Sequence, residues 1–212
     1  MATTLTSLQT KLNNLADETV DATKATSWIN DVYKDVASRT DWSWLQDTSS
    51  FNTVAGTEDY TVAANCMEIF QLRTKDRQLT PQNRQWLFEK HPEYPEYTDE
   101  GTVYTSTPTD FVYFGNKVYL YPIPDAIETV YYFYRKTVSD LSGASDEPLM
   151  PEEHREVLAL GAYLRWLVAD EADKYMIENA KNEYEQKVQT LVFQDSTKRN
   201  INSTIPYERR EI

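Results

Sequence analysis

Cysteine, histidine and glycine are all scarce in this chain, and each scarcity removes a class of function. A single cysteine, Cys66, stands among 212 residues, so no disulfide can form within the chain and a reducing compartment fits best. Only His91 and His154 are available as imidazole bases, which leaves little for Ser-His or Cys-His nucleophilic chemistry. The five glycines, Gly56, Gly101, Gly115, Gly143 and Gly161, are scattered, whereas phosphate-cradling loops need them clustered for close backbone approach. A dinucleotide fold and a nucleoside triphosphatase are both excluded on that ground. No apolar run is long enough to span a bilayer and no signal-peptide pattern occurs, so neither membrane insertion nor export is expected.

Acidic residues and aromatics are abundant. Thirty-four Asp and Glu against 21 Lys and Arg give a formal charge of −13, which disfavours nucleic acid as a partner of the whole body. The charge is unevenly spread. Residues 197–212 carry four basic and two acidic residues, while residues 1–196 carry 17 basic and 32 acidic ones, a net −15. A terminal segment of opposite sign reads as an arm, and Ile201, Ile205 and Tyr207 supply it with apolar anchors beside Lys198, Arg199, Arg209 and Arg210.

The hydrophobic period is helical at both ends of the chain and two in the middle. Leu5, Leu8, Leu12 and Leu15 line a narrow helical stripe. A second helix follows with Thr23 or Thr26 as cap and Ala25, Trp28, Ile29, Val32, Val36 and Ala37 on one face, ending in a Trp42, Trp44, Leu45 plug read as core. From about Thr48 to Thr137 strands alternate. Ser50 to Val54 and Glu58 to Val62 read as a hairpin across Ala55-Gly56, Met67 to Arg73 as a further strand, and Ile127 to Tyr134 as a last long one. Gly115-Asn116 between Phe111–Phe114 and Lys117–Tyr121 has the composition of a tight two-residue hairpin turn. Pro81 to Lys90 reads as a short helix with Pro81 in its first turn, followed by a Pro- and Tyr-rich loop, 91–108.

Helix returns after a polar loop, 139–148. Pro151, Glu152 and Glu153 suit a first turn, and the apolar residues from Val157 to Val168 wrap most of the circumference, a pattern that demands cover on several sides. Gly161 within it implies close packing. A last helix runs from Glu171 to about Gln194, with Ala172, Tyr175, Met176, Ala180, Tyr184, Val188 and Leu191 at helical intervals.

The expected fold is therefore α+β: a four-helix bundle core built from residues 1–47 and 138–196, an inserted antiparallel β lobe, sandwich or small barrel, over 48–137, and an extended C-terminal arm over 197–212. No catalytic, metal or cofactor residues are assigned. His154 among Glu152, Glu153 and Glu156 lacks a second histidine one turn on, and His91 suits a helix end. A stacking platform from Tyr94, Tyr97, Tyr104, Tyr113, Tyr119 and Tyr121 keeps open a glycan-binding or glycan-cleaving module.

Certain stretches carry a resemblance. Trp28-Ile29-Asn30-Asp31-Val32-Tyr33 runs into Asp41-Trp42-Ser43-Trp44-Leu45; Val54-Ala55-Gly56-Thr57-Glu58-Asp59-Tyr60-Thr61-Val62 follows. Thr107-Pro108-Thr109-Asp110-Phe111 leads to Val118-Tyr119-Leu120-Tyr121-Pro122-Ile123-Pro124-Asp125, and Leu149-Met150-Pro151-Glu152-Glu153 precedes Leu158 to Ala162. In this order, over about residues 5–192, the chain resembles the adaptor, or head-tail connector, proteins of tailed bacteriophages, especially those of short-tailed phages. The resemblance implies a non-enzymatic virion protein at the head-tail junction, assembled from host cytoplasm without cofactor. It implies self-association in a dodecameric ring, a portal protein above, a tail nozzle or tail tube protein below, DNA only as passing cargo, and no membrane. The arm residues Lys198, Arg199, Ile201, Ile205, Tyr207, Arg209 and Arg210 would then reach the portal. Asp170, Glu171 and Asp173 would face the lumen, where an acidic wall lets DNA pass without sticking. A tail completion protein would differ only in the neighbour bound.

Overall fold

The computed structural model describes residues 3–90 and 105–203. It is of mixed α+β class and divides into two compact units: one comprises the chain up to Leu45 and from Val138 onward, the other Gln46–Thr137.

The first unit is built on four helices. α1, Leu5–Ala16, starts at Thr4, whose hydroxyl accepts the Ser7 N–H, and buries Leu5, Leu8 and Leu12; Leu15, expected on the same stripe, is exposed. α2, Ala22–Ser38, is capped by Asp21, which accepts the Lys24 N–H at 2.9 Å, rather than by Thr23 or Thr26. Asp21 takes the role because a carboxylate there meets both the orphan N–H groups and the helix dipole. Trp42 and Leu45 close the core as expected, with Trp42 Nε1 donating to Val36 O at 2.7 Å.

α4, Glu156–Ala169, is the hub. Val157 to Ala162 are buried without a break, and α1, α2 and α5 each pack against it, which satisfies its all-round apolar surface. Four helices thus share one core, arranged around a central member. At Gly161 an added Cβ would stand 2.5 Å from Val32 Cγ1 and 2.9 Å from Tyr184 Cε2, so the close packing inferred from sequence is present. The 138–150 segment is stitched into the unit by Asn30, whose buried amide exchanges two hydrogen bonds with the backbone of Leu141 at 2.8 and 3.0 Å. The same segment meets the start of α1, where the Leu5 N–H donates to Asp146 O.

α5, Lys174–Ser203, is longer than its apolar period suggests. The extended arm expected from Thr197 instead continues helical through Ser203, because no Gly or Pro intervenes between Lys174 and Pro206 to end the hydrogen-bond ladder.

The second unit is a nearly closed, barrel-like sheet of seven strands, one or two more than the alternation suggests. β1 (Gln46–Asn52), β2 (Asp59–Thr61), β3 (Cys66–Arg73), β4 (Gln78–Gln82), β5 (Asp110–Phe114), β6 (Lys117–Tyr121) and β7 (Thr129–Lys136) lie in the order β1-β7-β3-β4-β5-β6-β2. The expected β1–β2 hairpin does not form: β1 pairs with β7 and β2 with β6, both antiparallel. Thr53 directs this. Its N–H donates to Glu128 O and its hydroxyl to Ala126 O at 2.8 Å, and Gly56 N–H donates to Pro124 O, so the chain leaving β1 follows the β6–β7 connection to the opposite edge. Phe51 of β1 and Tyr60 of β2 stack with ring centroids 4.7 Å apart, so the two end strands approach each other where the sheet nearly closes.

The sheet is also not wholly antiparallel, since β4 and β5 are parallel. A parallel pair needs a crossover of a dozen or more residues, which α3, Arg84–Lys90, and the following segment supply. Pro81 belongs to β4 rather than to the helix, whose start is set by Asn83 accepting the Trp86 N–H at 2.7 Å. The β5–β6 turn matches expectation: Gly115 and Asn116 both have positive φ, 60° and 61°, as a primed two-residue turn requires.

Candidate functional site

Among the described residues of the helical unit, two grooves and an exposed turn stand out. The larger groove, about 730 Å³, lies between the start of α4 and the distal half of α5. Val157 and Leu191 lie in its floor, Glu153 and Glu156 at one rim and Lys187 at the other, and Phe193 stands 71% exposed on its wall. Glu156 pairs with Lys11, and that hydrogen-bonded ammonium holds its carboxyl below the ordinary range. His154 contributes at its upper end, where Nε2 lies 3.3 Å from Glu153 Oε1. Among the described residues no group of three or more His, Cys, Asp and Glu is placed to hold a metal ion.

The smaller groove, about 410 Å³, runs between α2, α4 and α5 over Gly161, Leu164 and Val168. It is bordered by a polar network that sequence reasoning missed. Tyr184 donates to Asp35 at 2.8 Å, and Arg39 bridges Asp35 at 2.8 Å and Glu185 at 3.0 Å. Burial raises the Tyr184 phenol, assisted by its bond to Asp35. At Asp35 burial pulls the carboxyl upward, but the hydrogen bonds from Arg39 and Tyr184 outweigh it and leave the group below its ordinary value. The i, i+4 spacing of Asp35 and Arg39 was the available sequence signal.

Asp195 was also missed, although it continues the spacing of Ala180, Tyr184, Val188 and Leu191 along the buried face of α5. Its carboxylate, 7% exposed, accepts the Ser43 N–H at 3.1 Å and the Ser43 hydroxyl at 2.5 Å. The contact caps the short 3₁₀ turn Ser43–Leu45 and ties the chain just before Gln46 to the far end of α5.

The three acids singled out from sequence do come together, on the α4–α5 turn. Asp170 and Glu171 are exposed, Glu171 with φ of 53°, and Asp173 accepts the Tyr175 N–H at 2.8 Å as a local cap. Large apolar side chains stand exposed beside them: Val168 at 58%, Tyr175 at 72% and Met176 at 49%. Tyr175 and Met176 share the helical spacing of the last helix's apolar residues, but burial along that spacing begins at Ala180.

Of the arm residues, Lys198, Arg199 and Ile201 lie in the last turns of α5, whereas Ile205, Tyr207, Arg209 and Arg210 fall outside the described residues. His91, Tyr94, Tyr97 and Tyr104 fall outside them as well. The described tyrosines of the suggested platform are engaged in packing. Tyr113 donates to Cys66 O at 2.9 Å, Tyr119 stacks on Phe114 at 4.3 Å, and Tyr121 meets Trp86 edge-on at 6.2 Å.

Large apolar side chains stand exposed on both units, among them Val168, Tyr175 and Phe193 on the first and Met67, Ile127 and Tyr131 on the second, and surface of this kind suits a component that assembles. A family model described as SU10 adaptor protein matches residues 3–205. The chain belongs to the SU10 adaptor protein family. It is therefore a bacteriophage adaptor, a structural component of the virion that works through contacts with other phage head and tail proteins, and the resemblance read from sequence holds. No curated protein matches the chain. Among the described residues no helix of this adaptor is long and apolar enough to cross a membrane.

Proposed function

We propose that this adaptor forms a ring between the portal and the tail nozzle or tube, lines part of the DNA conduit, and carries out no catalysis. The observation that carries the reading is the family match over nearly the whole chain, which spans both units and the whole described length of α5. The exposed Val168, Tyr175 and Met176 supply apolar material for contact between copies, and the acids Asp170, Glu171 and Asp173 beside them supply the like charge that keeps passing DNA from adhering. The basic segment beyond α5, with Arg209 and Arg210, is steered toward the portal by its opposite sign, and Ile205 and Tyr207 anchor it. Once one copy is held on a symmetric portal, its neighbours meet it at high effective concentration, so weak lateral contacts suffice.

The test is electron microscopy and pull-down with the cognate portal. Full-length protein is expected to form rings on the portal, and a chain ending at Ser203 to remain folded and lose capture by at least tenfold. Equal capture by the shortened chain would remove the arm from the mechanism, and a monomer indifferent to portal would overturn the placement. Binding to the tube terminus instead would identify a tail completion protein.

A further inference from the structure

We propose that the outer face of β7, with its neighbours on β1 and β3, docks the start of α5 from a second copy of this chain. Each copy in a ring then offers the strand face to one neighbour and the helix to the other. The proposal deepens the ring reading and rests on it.

An antiparallel strand with one face in water alternates apolar and polar residues, whereas a strand apolar on both faces is covered on both. β7 is of the second kind. Val130, Tyr132 and Tyr134 point into the buried cluster of the unit, yet Tyr131 and Phe133 place aromatic rings on the outer face as well. Tyr131 is 41% exposed and Phe133 half-buried, so the chain itself leaves that second apolar face open. Residues directly opposite in register share a face. Ser50 and Arg73 therefore flank Tyr131, and Thr48 and Gln71 flank Phe133. Past the end of this ladder Val54 and Ile127 are exposed, Ile127 at 77%. The Thr53 hydroxyl, bonded to Ala126 O and to the Glu128 N–H, fixes their two loops against each other, which leaves little ordering to be done on binding.

Charge selects the occupant. Arg73 lies over the Phe133 ring at 5.7 Å, and Lys75 and Arg77 follow on the exposed β3–β4 turn. Among the described residues no ion pair engages any of the three. Asp76 and Glu128 beside them offset only part of this charge. Two such faces repel each other, and a ring in any case requires unlike surfaces in contact. The helical unit has the complementary sign, with 13 basic and 21 acidic residues. At the start of its α5, Tyr175 and Met176 stand exposed with Val168 beside them. Glu178, exposed three residues after Tyr175 and so on the same helix face, is placed to meet Arg73 of the next copy. The contact does not draw on Asp170, Glu171 or Asp173.

The experiment assembles the full chain on the cognate portal under mild oxidation and resolves it by denaturing electrophoresis without reductant. Ile127→Cys with Met176→Cys in one chain is expected to give a ladder of cross-linked multimers. Each single variant is expected to stay monomeric, Cys66 being buried. A second arm reverses charge at two exposed positions, where circular dichroism should match that of the unaltered chain. Arg73→Glu is expected to reduce the rings counted by electron microscopy several-fold, and Arg73→Glu with Glu178→Arg to restore them. Rings without a ladder, dimers from Ile127→Cys alone as face-to-face pairing requires, or no recovery in the double reversal would each overturn it. Rings are counted independently of the cross-link, so the two failures are told apart: rings without a ladder remove this contact alone, and an unaltered chain that forms no ring removes the ring reading with it.

Discussion

Gly161 shows how a single residue sets the geometry of the helical unit. Glycine is a poor helix former, costing about 1 kcal/mol against alanine in an exposed interior, yet here its missing Cβ lets Val32 of α2 and Tyr184 of α5 approach α4 from two sides. Alanine at this position would gain helix propensity but place a methyl inside both contacts, and overpacking of this kind costs about 1–3 kcal/mol. Neither neighbour can swing away as a long flexible side chain would. We expect Gly161→Ala to lower stability by about 1–2 kcal/mol, read as a reduced urea midpoint at unchanged m-value; a gain in stability would show that the helices re-space freely. The close approach was legible from an isolated glycine in an apolar run, but its two partners were not, since they come from 129 residues upstream and 23 downstream.

At the scale of elements, α2 and α5 are joined at their surface by Asp35, Arg39, Glu185 and Tyr184, and this joint responds to acid. The Asp35 carboxyl is held below its unfolded value of about 4, so its contribution is fully present above that pH and is lost as pH falls through the lower, folded value. Glu156, lowered by Lys11 between α4 and α1, acts in the same direction. Stability is therefore expected to fall below about pH 4, and Asp35→Asn should be less stable at neutral pH and lose it less steeply on acidification. Urea titrations at pH 6 and pH 3 measure this; parallel curves for the two proteins would assign the acid sensitivity elsewhere. Helices of this unit were readable because apolar residues recur every three or four positions. Strand partners were less so. The alternation in β1 and β2 marked both as strands, but Thr53 and Gly56, bonded to the β6–β7 connection, go with a strand order in which the two lie at opposite ends and form no hydrogen-bonded pair with each other. β4 escaped notice because five residues containing Pro81 resemble a helix start, and its pairing with β5 depends on a segment 28 residues later.

For the molecule as a whole, the division into units has a testable consequence. Gln46 pairs with Arg135 in the β1–β7 register, so the inserted unit begins and ends side by side. Each unit also holds its own buried cluster, one containing Leu8, Ile29 and Leu158, the other Leu72, Leu120 and Val130. Residues 46–137 expressed alone are expected to fold, and the rest of the chain, closed by a short Gly-Ser linker between Leu45 and Val138, to keep its helical circular dichroism and cooperative melting. A molten remainder without a cooperative transition would show that the units depend on one another for folding.

Composition and periodicity by themselves determined the α+β class, the helices, most of the strands, the Gly115-Asn116 turn and, through the order of its motifs, the family. All of these are local properties, set by which face of a helix or strand is apolar and by which residues tolerate positive φ. Only the tertiary structure decided the strand order, the parallel β4–β5 pair, the central place of α4, the burial of Asp195 against Ser43 and the exposure of Phe193. Those depend on which surfaces meet after long stretches of chain have been crossed, and the free energy of such meetings lies in packing between distant segments that no local pattern records.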